Sequence, residues 1–241
     1  MSPDQVTVVV PTYNESHNLA EIAKAVLAHG YRMVVVDDNS PDGTGALADE
    51  LAEQHDRLSV IHRSAKRGLG PAYAQAFSAL LAEGSSAVVV EMDADFSHDP
   101  ADLPRLVEAV ANGADLAIGS RYVPGGSTPD WPLIRQLISR GGNLYARTML
   151  GIPISDATAG FRAFRAGSLA QLPFQKAEAS GYAFQVEMAW RADQAGMKGV
   201  ELPIAFWDRQ AGNSKMGFPI VVEAMWLVTV WGIGRIVRRA K

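Results

Sequence analysis

The sequence contains no cysteine among its 241 residues. Disulfides and thiolate metal sites are thereby excluded, and a reducing cytosol is the expected compartment. Excess positive charge is missing too: 22 Lys and Arg stand against 26 Asp and Glu, for a net charge of −4. Because nucleic-acid binding rests on clustered positive charge, no nucleic-acid partner is expected. No basic-then-apolar leader opens the chain; residues 1–5 run straight into a strand pattern, which predicts a protein that stays on the cytosolic side. The first strand pattern is followed by Pro11-Thr12-Tyr13-Asn14-Glu15 and not by Gly-x-Gly-x-x-Gly, and Gly68-Leu69-Gly70 lacks the third glycine. A nicotinamide cofactor is excluded on that ground, and the absence of a Gly-Lys-Ser/Thr element excludes a phosphate-binding P-loop. Internal repeats and low-complexity linkers are also lacking.

What is present is the composition of a globular enzyme, 48% hydrophobic and 20% charged, at a length suited to one large α/β domain with a C-terminal extension. Short β-branched runs at Val6–Val10, Met33–Val36, Leu58–Ile61, Ala87–Met92 and Leu116–Gly119 read as strands. Several are apolar throughout, as expected of strands covered on both faces. Helical patterns fall between them at about 16–29, 44–54, 71–83 and 101–112, the last opened by Asp99 and Pro100. The alternation predicts an α/β fold with a mainly parallel, doubly wound sheet. After residue 120 a Pro/Gly-rich loop leads to a helix over Leu133–Leu150, strands at Phe161–Phe164 and Val200–Trp207, and a helix over Tyr182–Gln194.

Ligands of such sheets bind at the carboxyl ends of the strands. Three polar loops stand at these ends: residues 11–15, Asp37-Asp38-Asn39-Ser40-Pro41-Asp42-Gly43-Thr44, and Asp93-Ala94-Asp95-Phe96-Ser97-His98. Each alone has the composition of an ordinary turn; in a parallel sheet all three share one rim. Two carboxylates one residue apart suit a hard divalent cation, Mg²⁺ or Mn²⁺, that takes its remaining ligands from phosphate and water.

Together with Arg67-Gly68-Leu69-Gly70, these segments resemble the family 2 glycosyltransferases of the GT-A fold. Gly119-Ser120-Arg121-Tyr122, Trp131-Pro132-Leu133-Ile134-Arg135, Ser139-Arg140-Gly141, Asp156-Ala157-Thr158-Ala159-Gly160-Phe161 and Asp208-Arg209 with Asn213-Ser214-Lys215 are similar to the dolichol/polyprenol phosphate mannose synthases among them. The likeness runs from about residue 6 to about residue 217.

The resemblance implies that Pro11, Tyr13, Glu15, Val36 and Asp38 border the nucleotide, and that Asp93, Ala94 and Asp95 hold diphosphate and sugar. Asp95 is then the main metal ligand, with Asp93 beside it. Some relatives have Gln where this chain has Ser97, and a hydroxyl is the weaker ligand. Arg121, Arg209 and Lys215 would meet the donor phosphates, Arg135 and Arg140 the acceptor phosphate, and Asp156 would orient sugar or acceptor. His98 reads as a supporting residue and not a ligand. Glu187, in an apolar helical stripe, needs a polar partner.

The tail over 218–241 contains Glu223, and its longest uncharged run is the eleven residues Ala224–Gly234, against the ~20 that span a bilayer. It reads as an amphipathic interfacial helix: Trp226 and Trp231 favour the headgroup zone, and Arg235, Arg238, Arg239 and Lys241 favour anionic lipid. Docking on the domain or on a partner membrane protein is the alternative. The expected organisation is a catalytic domain over 1–217 followed by this helix.

The function implied is inverting transfer of mannose from GDP-mannose to polyprenol (dolichol) phosphate at the cytosolic membrane face, making a lipid-linked mannose donor. The alternatives are a UDP-glucose-dependent polyprenol-phosphate glucosyltransferase and a non-catalytic sugar-nucleotide-binding scaffold.

Overall fold

A computed structural model describes residues 1–179, 181, 183–208 and 218–239, with side chains left undescribed at 218–221 and 236–239. Five strands, β1 (Val6–Thr12), β2 (Arg32–Asp37), β3 (Leu58–His62), β4 (Val88–Glu91) and β5 (Leu116–Ser120), alternate with helices α1 (Leu19–Ala28), α2 (Thr44–Gln54), α3 (Leu69–Glu83) and α4 (Leu103–Ala111). Then come α5 (Leu133–Leu150), β6 (Arg162–Arg165), the short α6 (Ala166–Leu169), α7 (Ala183–Gln194), β7 (Gly199–Pro203) and α8 (Phe218–Arg239).

The strands form one sheet in the order β3-β2-β1-β4-β6-β5-β7. β1 is parallel to β2 and β4, β2 to β3, and β5 to β7, whereas β6 runs antiparallel to both its neighbours. The expected mainly parallel sheet is therefore mixed at one strand. That strand matters for the site: its first residue, Arg162, stands opposite Glu91, the last residue of β4. Chain entering β6 thus reaches the same rim as chain leaving β1, β2, β4 and β5.

Successive valines of β1 serve opposite faces. Val8 and Val10 join a core with Ile22, Val26, Leu103 and Leu106, while Val9 joins one with Tyr73, Phe77, Phe164 and Phe184. Both faces are covered, which is why the strands read as unbroken apolar runs.

Element boundaries differ from the sequence reading where loop side chains intervene. The first helix begins at Leu19 and not near residue 16. Asn14 sits at φ 59, and the Glu15 and Ser16 amides donate to Thr44 Oγ1 at 2.9 Å and Asp42 Oδ2 at 3.2 Å, which holds this segment as loop. The last strand stops at Pro203 instead of Trp207. Asp99 caps its turn as expected, its carboxylate accepting from the Ala101 amide.

The tail helix packs on the domain through α5 and α7. Trp231 is buried and stacks on Trp190 with ring centres 5.5 Å apart, and its indole N–H donates to Glu178 at 3.0 Å. The expectation that Trp231 lies in a headgroup zone is corrected accordingly; Trp226 is exposed. The expected boundary at residue 217 lies outside the described residues. Among the described residues no helix is long and apolar enough to cross a membrane.

Candidate active site

The carboxyl ends of β1, β2, β3 and β4 surround a cleft of about 250 Å³. Its walls include Pro11, Tyr13, Glu15, Asp38, Asp93, Ala94 and Asp95. The sheet reverses order at β1, between β2 and β4, where an open α/β sheet forms its ligand crevice. Val36 is fully buried in the sheet core and does not line the cleft.

Two cations that the sequence reading passed over stand here. Lys66 lies over the Tyr13 ring, 3.9 Å from its centre. Arg63, buried like its partner, pairs with Asp38. Burial raises the Asp38 carboxyl and Arg63 draws it back down, leaving it above its ordinary value. Both cations follow β3, whose carboxyl end belongs to the same rim. That position was the available signal.

The Asp93–Asp95 turn is built from local bonds. Phe96 takes φ 59, an uncommon backbone for a bulky residue, which turns the chain back on itself. Asp95, 4% exposed, accepts the Ser97 amide at 3.1 Å and the Ser97 hydroxyl. Ser97 is thus bonded to Asp95 through both its amide and its hydroxyl. The Asp93 amide donates to His98 Nδ1 at 3.2 Å, and the His98 ring stacks on Phe161. Burial pushes the His98 imidazole down to about 4, so it is neutral near pH 7 and carries its proton on Nε2.

Below the turn, Glu91 is fully buried, and burial raises its carboxyl to about 7 against the pull of Arg162. Arg162, fully buried as well, donates to the carbonyls of Ala157, Ala159 and Gln185 at 2.7–2.8 Å.

The donor chemistry of Asp93 and Asp95 fits a hard divalent cation. Among the described residues there is no group of three or more His, Asp or Glu able to enclose an ion; an ion held by Asp93 and Asp95 would take its remaining ligands from phosphate and water, as Mg²⁺ and Mn²⁺ allow. A diphosphate entering a cleft lined by Glu15, Asp38, Asp93 and Asp95 also needs positive charge to offset theirs.

On the β6 side of the rim the structure joins two residues that the sequence reading took separately. Arg121 grips Asp156 through Nε at 2.7 Å and Nη2 at 2.6 Å, and its amide adds a third bond at 3.0 Å. Burial tends to raise the Asp156 carboxyl, but the charge and bonds of Arg121 hold it below its ordinary value. Arg121 also faces the Trp131 and Phe206 rings. A side chain at Gly160 would stand 3.8 Å from Asp93 Oδ2, so this loop and the carboxylate turn are neighbours. Arg135 stacks on Trp131 at 3.9 Å and bonds Asp208 at 3.0 Å, while Arg140 lies 5.6 Å from the Tyr122 ring. Arg209, Lys215 and Tyr182 lie outside the described residues. Glu187 has the partners its burial requires: the Glu178 and Ala179 amides and Arg191.

Helix α5 shows an unexpected surface. Leu133, Ile134, Leu137, Ile138 and Leu144 are 60–77% exposed. On the adjoining α8, Val222, Met225, Trp226, Val230 and Ile233 are exposed as well. An apolar stripe on each of two packed helices, turned to solvent, is uncommon on a monomeric soluble surface.

Comparison with known proteins places these features in a group. Residues 7–172 match the family model Glycosyl transferase family 2. The chain is 50% identical over 241 aligned residues to a polyprenol monophosphomannose synthase of Mycolicibacterium smegmatis, covering 98% of this chain and 91% of that protein. It is 47% identical over 233 residues to an undecaprenyl-phosphate mannosyltransferase of Micrococcus luteus, covering 95% and 94%. Among solved structures, a mannosyltransferase from Pyrobaculum calidifontis in complex with GDP-Man and Mn²⁺ superposes with a TM-score of 0.59 at 20% identity, covering 99% of this chain and 67% of that one. At that identity the likeness speaks for a shared GT-A fold alone.

Proposed function

The chain belongs to glycosyl transferase family 2, and from that premise we propose that it transfers mannose from GDP-mannose to the phosphate of a polyprenol lipid. The observation that carries this reading is one rim with two neighbouring halves. One half is a nucleotide-sized cleft ending at Asp93 and Asp95. The other is the Arg121–Asp156 loop, bonded to a helix whose outer face is apolar and exposed. A sugar nucleotide and a phosphate on an apolar chain are the pair of substrates that such halves fit.

Pro11, Tyr13 and Glu15 border base and ribose, with Lys66 at the Tyr13 ring. Asp38, held by Arg63, shapes that wall. Asp95 and Asp93 would hold Mg²⁺ or Mn²⁺, which when bound offsets the charge of the diphosphate. Ala94, between them, brings backbone close to the sugar. The acceptor phosphate has a second pKa near ~6 by analogy with phosphorylated side chains, so it arrives as a nucleophile. One of its oxygens attacks the anomeric carbon while the bond to GDP breaks, which inverts that carbon; no general base is required. The residues supply position and electrostatic stabilisation: Arg209 and Lys215 act toward the donor phosphates, whereas Arg121, expected with them, is bound to Asp156 and Thr158 and is reassigned here to the acceptor side with Arg135 and Arg140.

The exposed apolar stripes of α5 and α8 support a peripheral seat at the cytosolic membrane face. Arg140, Arg147 and Arg235 on these helices add attraction to anionic lipid of about 1 kcal/mol each where they reach the surface. Their contribution supplements the apolar area, which sets the depth of seating.

Incubating the purified protein with polyprenol phosphate, a divalent metal and labelled GDP-mannose should move label into the lipid fraction, with labelled UDP-glucose giving none. A lipid fraction without label from either donor overturns the transferase reading; label from UDP-glucose alone overturns the sugar.

A further inference from the structure

Helix α5 carries two distinct stripes. Leu133, Ile134, Leu137 and Ile138 face outward. A second stripe, Gln136, Ser139 and Asn143, faces the loops of the site. Gln136 donates to the Trp131 carbonyl at 2.9 Å, and Ser139 Oγ accepts from the Tyr122 hydroxyl at 2.6 Å. Asn143 goes deepest, at 2% exposure.

Its amide is fully engaged with the loop that presents Asp156. Nδ2 donates to the Ser139 carbonyl at 3.1 Å and to Thr158 Oγ1 at 3.0 Å, and Oδ1 accepts the Thr158 amide at 3.2 Å. Thr158 Oγ1 accepts a second bond from Arg121 Nη2 at 2.8 Å and donates to Asp156 Oδ1 at 3.3 Å. One hydroxyl with one proton and two lone pairs is thus saturated by three partners. The far end of the same loop is tied down independently by Glu201 of β7, whose carboxylate accepts the amides of Ser155 and Asp156 at 2.7 and 2.9 Å.

We propose that Asn143 is a positioning residue of the acceptor site: through Thr158 it fixes the Arg121–Asp156 pair relative to the apolar-faced helix α5. This rests on the reading above, in which α5 seats the lipid and Arg121 lies on the acceptor side. Asn143 touches neither substrate. Its work is geometric, because a phosphate delivered along α5 must meet a guanidinium whose distance from α5 is fixed. Glu201 holds the start of the loop, and Arg162 holds the backbone on either side of Thr158 through the Ala157 and Ala159 carbonyls; what Asn143 adds is the tie from Thr158 to α5. A buried Asn serving only the fold would stabilise donor and acceptor sites alike, and that difference makes the proposal testable.

The test compares wild type with Asn143→Ala, Thr158→Val and the double variant, measuring acceptor KM and kcat, the Kd for GDP-mannose and the melting temperature. Each single variant should lower kcat/KM toward polyprenol phosphate about ten- to a hundredfold, the scale of a misplaced substrate. The donor Kd should stay within about twofold, and the double variant should be no worse than the poorer single one, since both break the same link. Donor binding that weakens in parallel, additive losses, or an Asn143→Ala enzyme of normal acceptor efficiency would each overturn it. Should Asn143→Ala fail to fold, Thr158→Val against Thr158→Ser decides: the serine, which keeps the hydroxyl, should restore most of the efficiency, and equal loss in both sinks the inference. Absence of lipid product from wild type would refute the transfer reading instead. The positioning inference is then judged by amide exchange, which Asn143→Ala should speed at Thr158 and leave unchanged at Ser155.

Discussion

Replacing Asp156 with Asn isolates the charge of the Arg121–Asp156 pair while keeping its shape. Asp156 is fully buried and Arg121 is 8% exposed. The carboxylate takes two guanidinium bonds, at 2.6 and 2.7 Å, and one amide bond. Removing one partner of a buried pair typically costs about 3–5 kcal/mol, because the other charge stays buried without its counter-ion. Asn retains one acceptor oxygen, so the lower end, about 3 kcal/mol, is expected. For a chain of this size each kcal/mol moves the melting temperature by about 2–4 °C, and the variant should therefore melt about 6–12 °C below wild type at pH 7. The pH dependence follows from sign. Arg121 holds the folded-state carboxyl below its ordinary value despite burial, and the unfolded chain titrates near ~3.9. The contribution is fully present above that value and is lost as pH falls through the folded-state pKa. Melting curves followed by circular dichroism at pH 7, 5 and 3.5 should show the gap between wild type and variant narrowing in acid. A gap under about 2 °C at pH 7, or one that is the same at every pH, would refute the reasoning.

Two shorter predictions concern the ion and the lipid. Asp95→Ala should lower turnover by about a hundredfold or more and remove its response to added Mg²⁺ or Mn²⁺, and chelation should silence the wild type likewise; full metal-dependent activity would put the ion elsewhere. Leu137→Asp, at a site 65% exposed on α5, should fold normally yet cosediment several-fold less with vesicles containing anionic lipid, because a charge replaces a seated apolar side chain. Unchanged cosedimentation would show that α5 does not meet the bilayer.

Why parts of this site were legible in the chain and others were not comes down to which facts depend on chain order alone. Loops after β1, β2 and β4 share a rim in any parallel sheet, so Tyr13, Asp38 and Asp93–Asp95 could be grouped without coordinates. The same rule covered β3, and Arg63 and Lys66 were within its reach; they went unnoticed because isolated cations beside Gly-rich chain look like solvated loop. Arg121 and Asp156 are a different case. Their pairing across 35 positions requires β6 to run against β4 and β5, and nothing in a four-residue strand announces its direction. Periodicity, likewise, reports that a helix has an apolar face but not what that face meets. In α5 the apolar stripe points to solvent, and Asn143 points inward. In α8, Trp226 and Trp231 are five residues apart and so about 140° around the helix from each other, which lets one turn to the domain while the other turns to solvent. That geometry was available from spacing alone. Which of the two turned inward was decided by Trp190 and Glu178, which offered Trp231 a stacking surface and an acceptor for its N–H.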